Sequence, residues 1–547
     1  MAMTRAYWLI FPTPSEPTRF MSSKKLWFVA IGASIALGTL AIFMVASTMS
    51  KRFDPYIRQQ AIQYLSRRFD GEVEVGKLTV HVPKIPFLRL FANRGRGVIA
   101  EIVGEDILLR HRGRRDVAPM FAMKRLRFQV DLGRVFDPQK KVALVEMSNF
   151  VITVPPRGER PNLIGKSDTA TAQEAADPGG IFLEKVIIVN SKLVILPRNK
   201  ARIPLEFELH RVVLDSVQLN ESLRYQARLT NPKPPGTIEA TGSFGPWNAE
   251  SPSDTPLTGD YTFSDADLGV FAAIAGTLRS TGTFKGTLSE IEASGEADVP
   301  NFRLKRVGTP MDLHVSYAAR VDGTNGNTIL QPVQARLNSS EFTTGGAVVK
   351  HEGNSRRSIE LDVKMPNGEM LDMLRLATKA KPFMAGRIQM TSKITIPPVT
   401  GTVSEKLILH GSFQIRQGQF LMDEVQDKVD MLSKRGQGQP KSQSIDNVFS
   451  GMAGEFHLED ERIDFKRLTF QVPGSQVDLA GIYNMDADTL DFKGSLRLKA
   501  RVSQTMTGWK RWALKPVDPF FAKNGAGTFL KIKVQGSSKE PQFGAAR

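Results

Sequence analysis

The chain has 547 residues, a formal net charge of +17 and no cysteine, and 41% of its residues are hydrophobic. That apolar share supports a real core and excludes wholesale disorder. Without cysteine there is no disulfide, no thiolate metal or iron–sulfur site and no thiol nucleophile, which fits an oxidising compartment.

The length suits roughly two to four domains or one elongated repetitive one. The first twenty residues fit nothing that follows, and Met21-Ser22-Ser23-Lys24-Lys25 reads as a natural start. From Leu26 to Ser47 run 22 residues without a charge. A helix rising about 1.5 Å per residue spans about 33 Å over that length, enough for a bilayer's hydrocarbon core. A cleaved signal peptide would need only about 7–15 apolar residues. The stretch is therefore read as an uncleaved anchor, with Leu26, Trp27, Phe28, Ile31, Leu37, Leu40, Ile42 and Phe43 as its apolar body. Lys24 and Lys25 precede it and Lys51 and Arg52 follow it, so flanking charge does not orient it. The long polar region beyond it sets the N-terminus inside.

Asp54-Pro55 can open a helix and Asp70-Gly71 can end it. Ile57, Ala61, Tyr64, Leu65 and Phe69 then share one face. Such a helix either lies on the membrane surface or caps the first strands; the cap is preferred.

Beyond residue 70 the dominant period is two. Phe128 and Val130 alternate with Arg127 and Gln129, and Leu205 and Phe207 with Glu206 and Glu208. Leu361 and Val363 alternate with Asp362 and Lys364; Leu496 and Leu498 lead a run that continues to Val502, and Ile532 and Val534 another. One apolar and one wet face per strand is the mark of antiparallel sheet. These residues, with Phe465, Phe470 and Phe492, are the candidate lining of an apolar surface. If strand plus turn takes about 14–16 residues, the chain makes roughly 25–29 strands in a sheet on the order of 120–140 Å long, which must curl to hide that face. Asp322-Gly323, Asn325-Gly326, Asn367-Gly368 and Asn524-Gly525 read as turns. Short helices are expected from Ser264 to Gly276, around Met370, Leu374 and Ala377, and from Val425 through Leu432 to Gly436. Loops are expected at 165–180, 231–236, 246–256 and 434–443.

Charge is concentrated at 84–141 and 496–539, which carry net +8 and +9. That suggests anionic surfaces, phospholipid head groups above all. No zinc finger, RNA-binding signature or basic helix accompanies it, so no nucleic-acid partner is expected.

Catalytic constellations are missing. Gly95-Arg96-Gly97-Val98-Ile99-Ala100 has dinucleotide spacing but no following helix, and reads as turn glycines. Gly165-Lys166-Ser167 lacks the upstream glycine of a phosphate loop, where Arg160 stands. The seven histidines are scattered. Asp322 to Asn327 lacks the spacing of a calcium loop, and Asp460-Glu461 reads as an exposed turn. The chain is therefore read as a non-enzyme with no cofactor and no metal.

The anchor, the helix ending in FDGEVEVGKL and the long amphipathic β region resemble the AsmA family of bacterial envelope proteins. So do TGTFKGTLSEIEASGEADVPNFRL (281–304), VDGTNGNT (321–328), GSFQIRQGQF with VQDKVDMLSKRGQGQP (411–440), residues 449–500 and the final PQFG (541–544). The likeness covers roughly residues 25–547. It implies a mainly β fold: a long antiparallel sheet curled like a taco, apolar inside, with a few short helices and one N-terminal transmembrane helix. It implies a single-pass protein of the bacterial inner membrane with most of its chain in the periplasm. It also implies phospholipid movement between membranes and support of outer-membrane integrity. The segments are then a cytoplasmic tail (1–25), the transmembrane helix (26–47), an amphipathic helix with the first strands (51–164), a flexible loop (165–180), a central groove region (181–398) and an AsmA-like C-terminal region (399–547). The alternative is a non-enzymatic scaffold or regulator of outer-membrane protein assembly, partnered by periplasmic or outer-membrane proteins.

Overall fold

A computed structural model describes residues 59, 62, 66, 71–81, 99–111, 115, 118–131, 140–154, 181–196, 203–217, 221–246, 254–287, 289–323, 326–351, 356–523, 525–538 and 540–546. The expected anchor at 26–47, the loop at 165–180 and the glycines Gly95 and Gly97 lie outside them. Among the described residues no helix is long and apolar enough to cross a membrane. Of the helix expected over 54–70, Gln59, Ile62 and Ser66 are described and all three are helical. Ile62 packs against the first strands.

The described chain is mainly β, one long open curled sheet with a few short helices. Its first strands are β1 (Gly71–His81), β2 (Ile99–His111), β3 (Phe121–Asp131), β4 (Lys140–Val154), β5 (Ile181–Ile195) and β6 (Leu205–Val217). The middle holds β7 (Leu223–Pro232), β8 (Pro235–Phe244), β9 (Pro256–Asp267), the short β10 (Ile274–Ala275), β11 (Thr277–Thr287) and β12 (Glu290–Leu304). Then come β13 (Met311–Val321), β14 (Thr328–Leu337), β15 (Ser340–Val349), β16 (Ser358–Glu369), β17 (Met384–Ile396) and β18 (Ile408–Phe420). The last are β19 (Ser450–Glu459), β20 (Arg462–Val472), β21 (Ser475–Asn484), β22 (Thr489–Leu498), β23 (Thr528–Gly536) and β24 (Pro541–Ala545). These 24 strands are one fewer than the lower bound expected from sequence.

Each strand pairs antiparallel with the next, with two exceptions. β4 and β5 run parallel, and β10 pairs only with the end of β12, leaving β9 beside β11. Pairing is unbroken across residues 164–181 and 398–399. The strands β9, β12, β14, β16, β18, β20 and β22 therefore run the same way and end on one rim. Helical segments follow four of them: a 3₁₀ turn Leu268–Val270, α1 (Met370–Ala377), α2 (Asp423–Gly436), and the short turns Val502–Thr505 and Trp509–Phe521. The expected helices at Met370 and Val425 are thus present. The one expected from Ser264 to Gly276 is not. β9 carries on to Asp267, whose carboxylate accepts from the Gly269 N–H at 2.7 Å and caps only a 3₁₀ turn.

Three other expectations are corrected. Asn367-Gly368 is not a turn but lies inside β16. The run NPKPPG is a two-residue hairpin turn at Lys233-Pro234, closed by the Asn231 side-chain amide on the Pro234 carbonyl at 2.8 Å. The alternation from Leu496 to Val502 stops as a strand at Leu498.

Two devices curve the sheet. Near the N-terminus, Asp106, Asn149 and Asn190 all have φ near 50°, the left-handed region that Asp and Asn tolerate best. Asn149 and Asn190 fall opposite each other, between the pairs Ser148–Val189 and Val151–Lys192. Each residue reverses the in–out alternation. In β4, Val145 and Met147 point inward before Asn149, and Phe150 and Ile152 after it. The result is a crease across β2, β4 and β5. In the later strands the device is a bulge. β14, β16, β18 and β20 each carry one residue more than both neighbours, at Gln331-Pro332, Pro366-Asn367, Arg416-Gln417 and Lys466-Arg467, and β12 carries one more than β13, at Pro300-Asn301. A bulge bends its strand and increases local twist. Because all five lie on strands of the same direction, the bends add instead of cancelling. In β16 the extra residue lets both Met365 and Gly368 lie inward, and a Cβ on Gly368 would sit 2.3 Å from the Met365 sulfur.

Two apolar clusters result. The larger joins β1–β5 and includes Val73, Ile102, Phe128, Val145, Met147 and Phe150. The smaller joins Met365, Met384, Ile388 and Ile415 with Leu374 of α1. Asp372 fixes α1 over it, accepting from the Ser340 hydroxyl at 2.8 Å and the Ser339 N–H at 3.1 Å.

Candidate functional site

Directly paired residues in a sheet lie on the same face. One row of such pairs runs the whole sheet. It starts Val80, Ile102, Phe128, Val145, Val186, Leu214, Tyr225. It continues Gly242, Gly259, Phe284, Ala293, Ala319, Leu330, Gly346, Leu361. It ends Ile394, Leu409, Leu458, Ile463, Tyr483, Leu490, Gly536, Pro541. No member carries a charge. Period-two sequences keep the row apolar because strand pairing fixes which residues lie side by side.

The expected lining residues all fall on this face by register. Phe128 and Leu361 are in the row itself. Val130 pairs with Ala100 and Val142, and Phe207 with Leu193. Leu205 pairs with Ile195, and Val363 with Ser392. Phe465, Gly481, Phe492, Val534 and Phe543 form a neighbouring row. Phe470, Val477 and Leu496 form another, and Gly494 pairs with Ile532. Leu498 pairs with Ser475. The Phe465 and Phe492 rings approach across Gly481 with centroids 5.9 Å apart.

Their surroundings differ. Phe128 is 2% exposed and Ile102 is sealed at 0%, so this end of the row is a filled core. Phe207, Leu361, Val363, Phe465 and Phe470 are only half-buried, and Leu205 is exposed. From β7 to β15 most of the inner face is only half-buried, whereas α1 covers the cluster at β16–β18 and Phe492, Leu498 and Val534 are buried.

The middle of the face has a floor that periodicity did not reveal. Gly242 and Gly259 are paired in the long row; Gly282 and Gly295 are paired in the next. A Cβ on Gly259 would lie 2.6 Å from the Tyr225 hydroxyl and 2.8 Å from the Phe284 ring. A Cβ on Gly295 would lie 2.9 Å from the Tyr317 hydroxyl. Aromatic rings thus lie over bare backbone, which only glycine permits. A cavity of about 1160 Å³ at these strands is lined mostly by residues of the opposite, polar face, among them Arg224, Gln226, Asp260, Lys285 and Glu292.

This floor holds one polar node. The Tyr261 and Tyr317 hydroxyls contact each other, and Tyr261 also lies 3.2 Å from the Ser280 hydroxyl, which donates to the Glu296 carbonyl at 2.9 Å. Tyr225 donates to the Thr258 carbonyl at 3.3 Å. Burial, with Asp260 nearby, pushes the Tyr225 phenol up to about 12. Burial also raises Tyr261, against the Ser280 hydrogen bond. Both stay neutral, so the floor is uncharged but offers hydroxyl groups. All four tyrosines of the described residues, Tyr225, Tyr261, Tyr317 and Tyr483, are on this face.

The other face is ionic. Arg228 meets Glu239 at 3.4 Å, Lys285 meets Glu292 at 3.7 Å and Arg127 meets Glu146 at 3.0 Å. Asp460 and Glu461 form the expected turn, both with positive φ, between β19 and β20. Among the described residues no group of three or more His, Asp or Glu could hold a metal ion. No family model, no curated protein and no solved structure matches the chain.

Proposed function

We propose that this is an inner-membrane-anchored periplasmic protein of the AsmA type, a taco-like groove whose apolar sheet face binds phospholipids and shuttles or conducts them between membranes. The carrying observation is the uncharged row from Val80 to Pro541, half-exposed over most of its length. Acyl chains laid along it would leave water at about 0.8 kcal/mol per CH₂. Head groups would project through the open side, and no covalent chemistry is required. Supply of lipid to the outer membrane would support that membrane's integrity.

The test is organic extraction of the purified full chain followed by mass spectrometry. Phospholipid at a fixed ratio per chain, depleted by a charge on the inner face, supports the reading. A chain that is free of lipid and takes none up from vesicles removes it.

A second reading has one observation behind it. The sealed cluster of β1–β5 is a filled core, as a non-enzymatic scaffold for outer-membrane protein assembly would have. It predicts that deletion lowers outer-membrane protein levels while lipid distribution stays unchanged.

A further inference from the structure

The rim that carries the helical segments also carries a patch that neither reading uses. Trp509 and Trp512 are 75% and 71% exposed, and Phe520 is 74% exposed. Trp509 and Trp512 are three residues apart in one short helix and share its face. Exposed tryptophans that touch little of their own protein usually mark a contact surface. The charge around them is of one sign. Lys510, Arg511, Lys515 and Lys523 are exposed beside them, and the Lys515 ammonium lies 4.0 Å over the Trp512 ring. The single carboxylate of residues 496–539, Asp518, is turned inward. It accepts from the Ser503 N–H at 2.8 Å and the Ser503 hydroxyl at 2.7 Å. Those bonds fix the turn that presents Phe520, so the patch is held in place.

We infer that Trp509, Trp512 and Phe520, with Lys510, Arg511, Lys515 and Lys523, form a docking surface for an anionic phospholipid bilayer. Indole rings favour the boundary between head groups and acyl chains, where an apolar body and one polar N–H are both accommodated. The lysines and the arginine lie beside the rings, where anionic head groups would meet them. A protein partner would be expected to meet at least one acidic complement near the rings; the exposed charges of residues 509–523 are all cationic. The surface lies at the opposite end of the sheet from β1, which the expected anchor precedes, so one molecule would contact two bilayers. The inference stands apart from lipid carriage, since docking needs no cargo.

The experiment uses the full chain in phosphatidylcholine nanodiscs, mixed with vesicles of phosphatidylcholine or of phosphatidylcholine with phosphatidylglycerol, and measures co-flotation. The native chain should float with the anionic vesicles and lose binding as salt rises. Trp509→Ser/Trp512→Ser should weaken binding about tenfold or more. Lys510→Gln/Arg511→Gln/Lys515→Gln should weaken it and flatten its salt dependence. Brominated lipid in the added vesicles should quench native tryptophan emission, and quench the double tryptophan variant far less. Circular dichroism melts serve as the folding control, because these side chains are mostly in water. Equal flotation of native and variant chains, equal binding to neutral and anionic vesicles, or no quenching would overturn the inference. The last outcome would pass the patch to a protein partner.

Discussion

The strands β1–β5 and the strands β7–β15 share one pattern, apolar and polar residues in alternation, yet the first set seals a core and the second leaves a surface. The difference lies in the curvature device and in side-chain size. At Asp106, Asn149 and Asn190 a left-handed residue switches which alternate positions face inward, and large residues such as Phe128, Met147 and Phe150 fill that face. In β8, β9, β11 and β12 the inner positions include Gly242, Gly259, Gly282 and Gly295, which cannot fill anything. Bulges there bend the sheet gradually. Alternation therefore specifies which face is apolar; it does not specify whether that face is occupied.

That contrast can be broken most severely at Phe128. Phe128→Ala should cost about 3–5 kcal/mol in chemical unfolding, because the crease leaves the cavity no way to collapse. A loss no greater than that of an exposed truncation would mean the N-terminal cluster is not sealed. A pH effect comes next. The Tyr225 phenol is raised, to about 12, so its contribution is complete below the unfolded pKa of about 10 and fades as pH climbs through the folded value. Alkaline titration should show native stability falling between those values, with the fall reduced in Tyr225→Phe. In the open region, Ala240→Glu should change stability by under about 1 kcal/mol, since its side chain reaches water. The same change should cut co-purified phospholipid severalfold; unchanged lipid content would argue against cargo at this floor. Smallest of all, Arg228→Ala removes an exposed cross-strand ion pair and should shift stability by at most about 1 kcal/mol, less at high salt.

Much of the fold was legible. Period two located strands around Phe128, Leu361 and Val534, and helical spacing with a terminal glycine located α2. The apolar face was legible for the same reason, since hydropathy and strand geometry are both local. Misreadings arose where a local signal had two meanings. Asn367-Gly368 has hairpin chemistry but sits in a bulge, because a left-handed or extra residue serves either end. Ser264 through Gly276 has helical spacing, yet Ala266 is already sealed at 0% exposure in β9 and the strand wins. The glycine floor and the tyrosine node escaped notice because Gly259 and Tyr225 are 34 positions apart and meet only through strand pairing.

By itself the sequence determined that this chain makes a long one-sided sheet with ionic residues outside, since alternation and turn chemistry act between neighbours. Only the tertiary structure decided that β4 and β5 run parallel, that five bulges share one strand direction, and that the apolar face is filled at one end and bare in the middle. These depend on register and on contacts between residues remote in the chain, and no local preference encodes them.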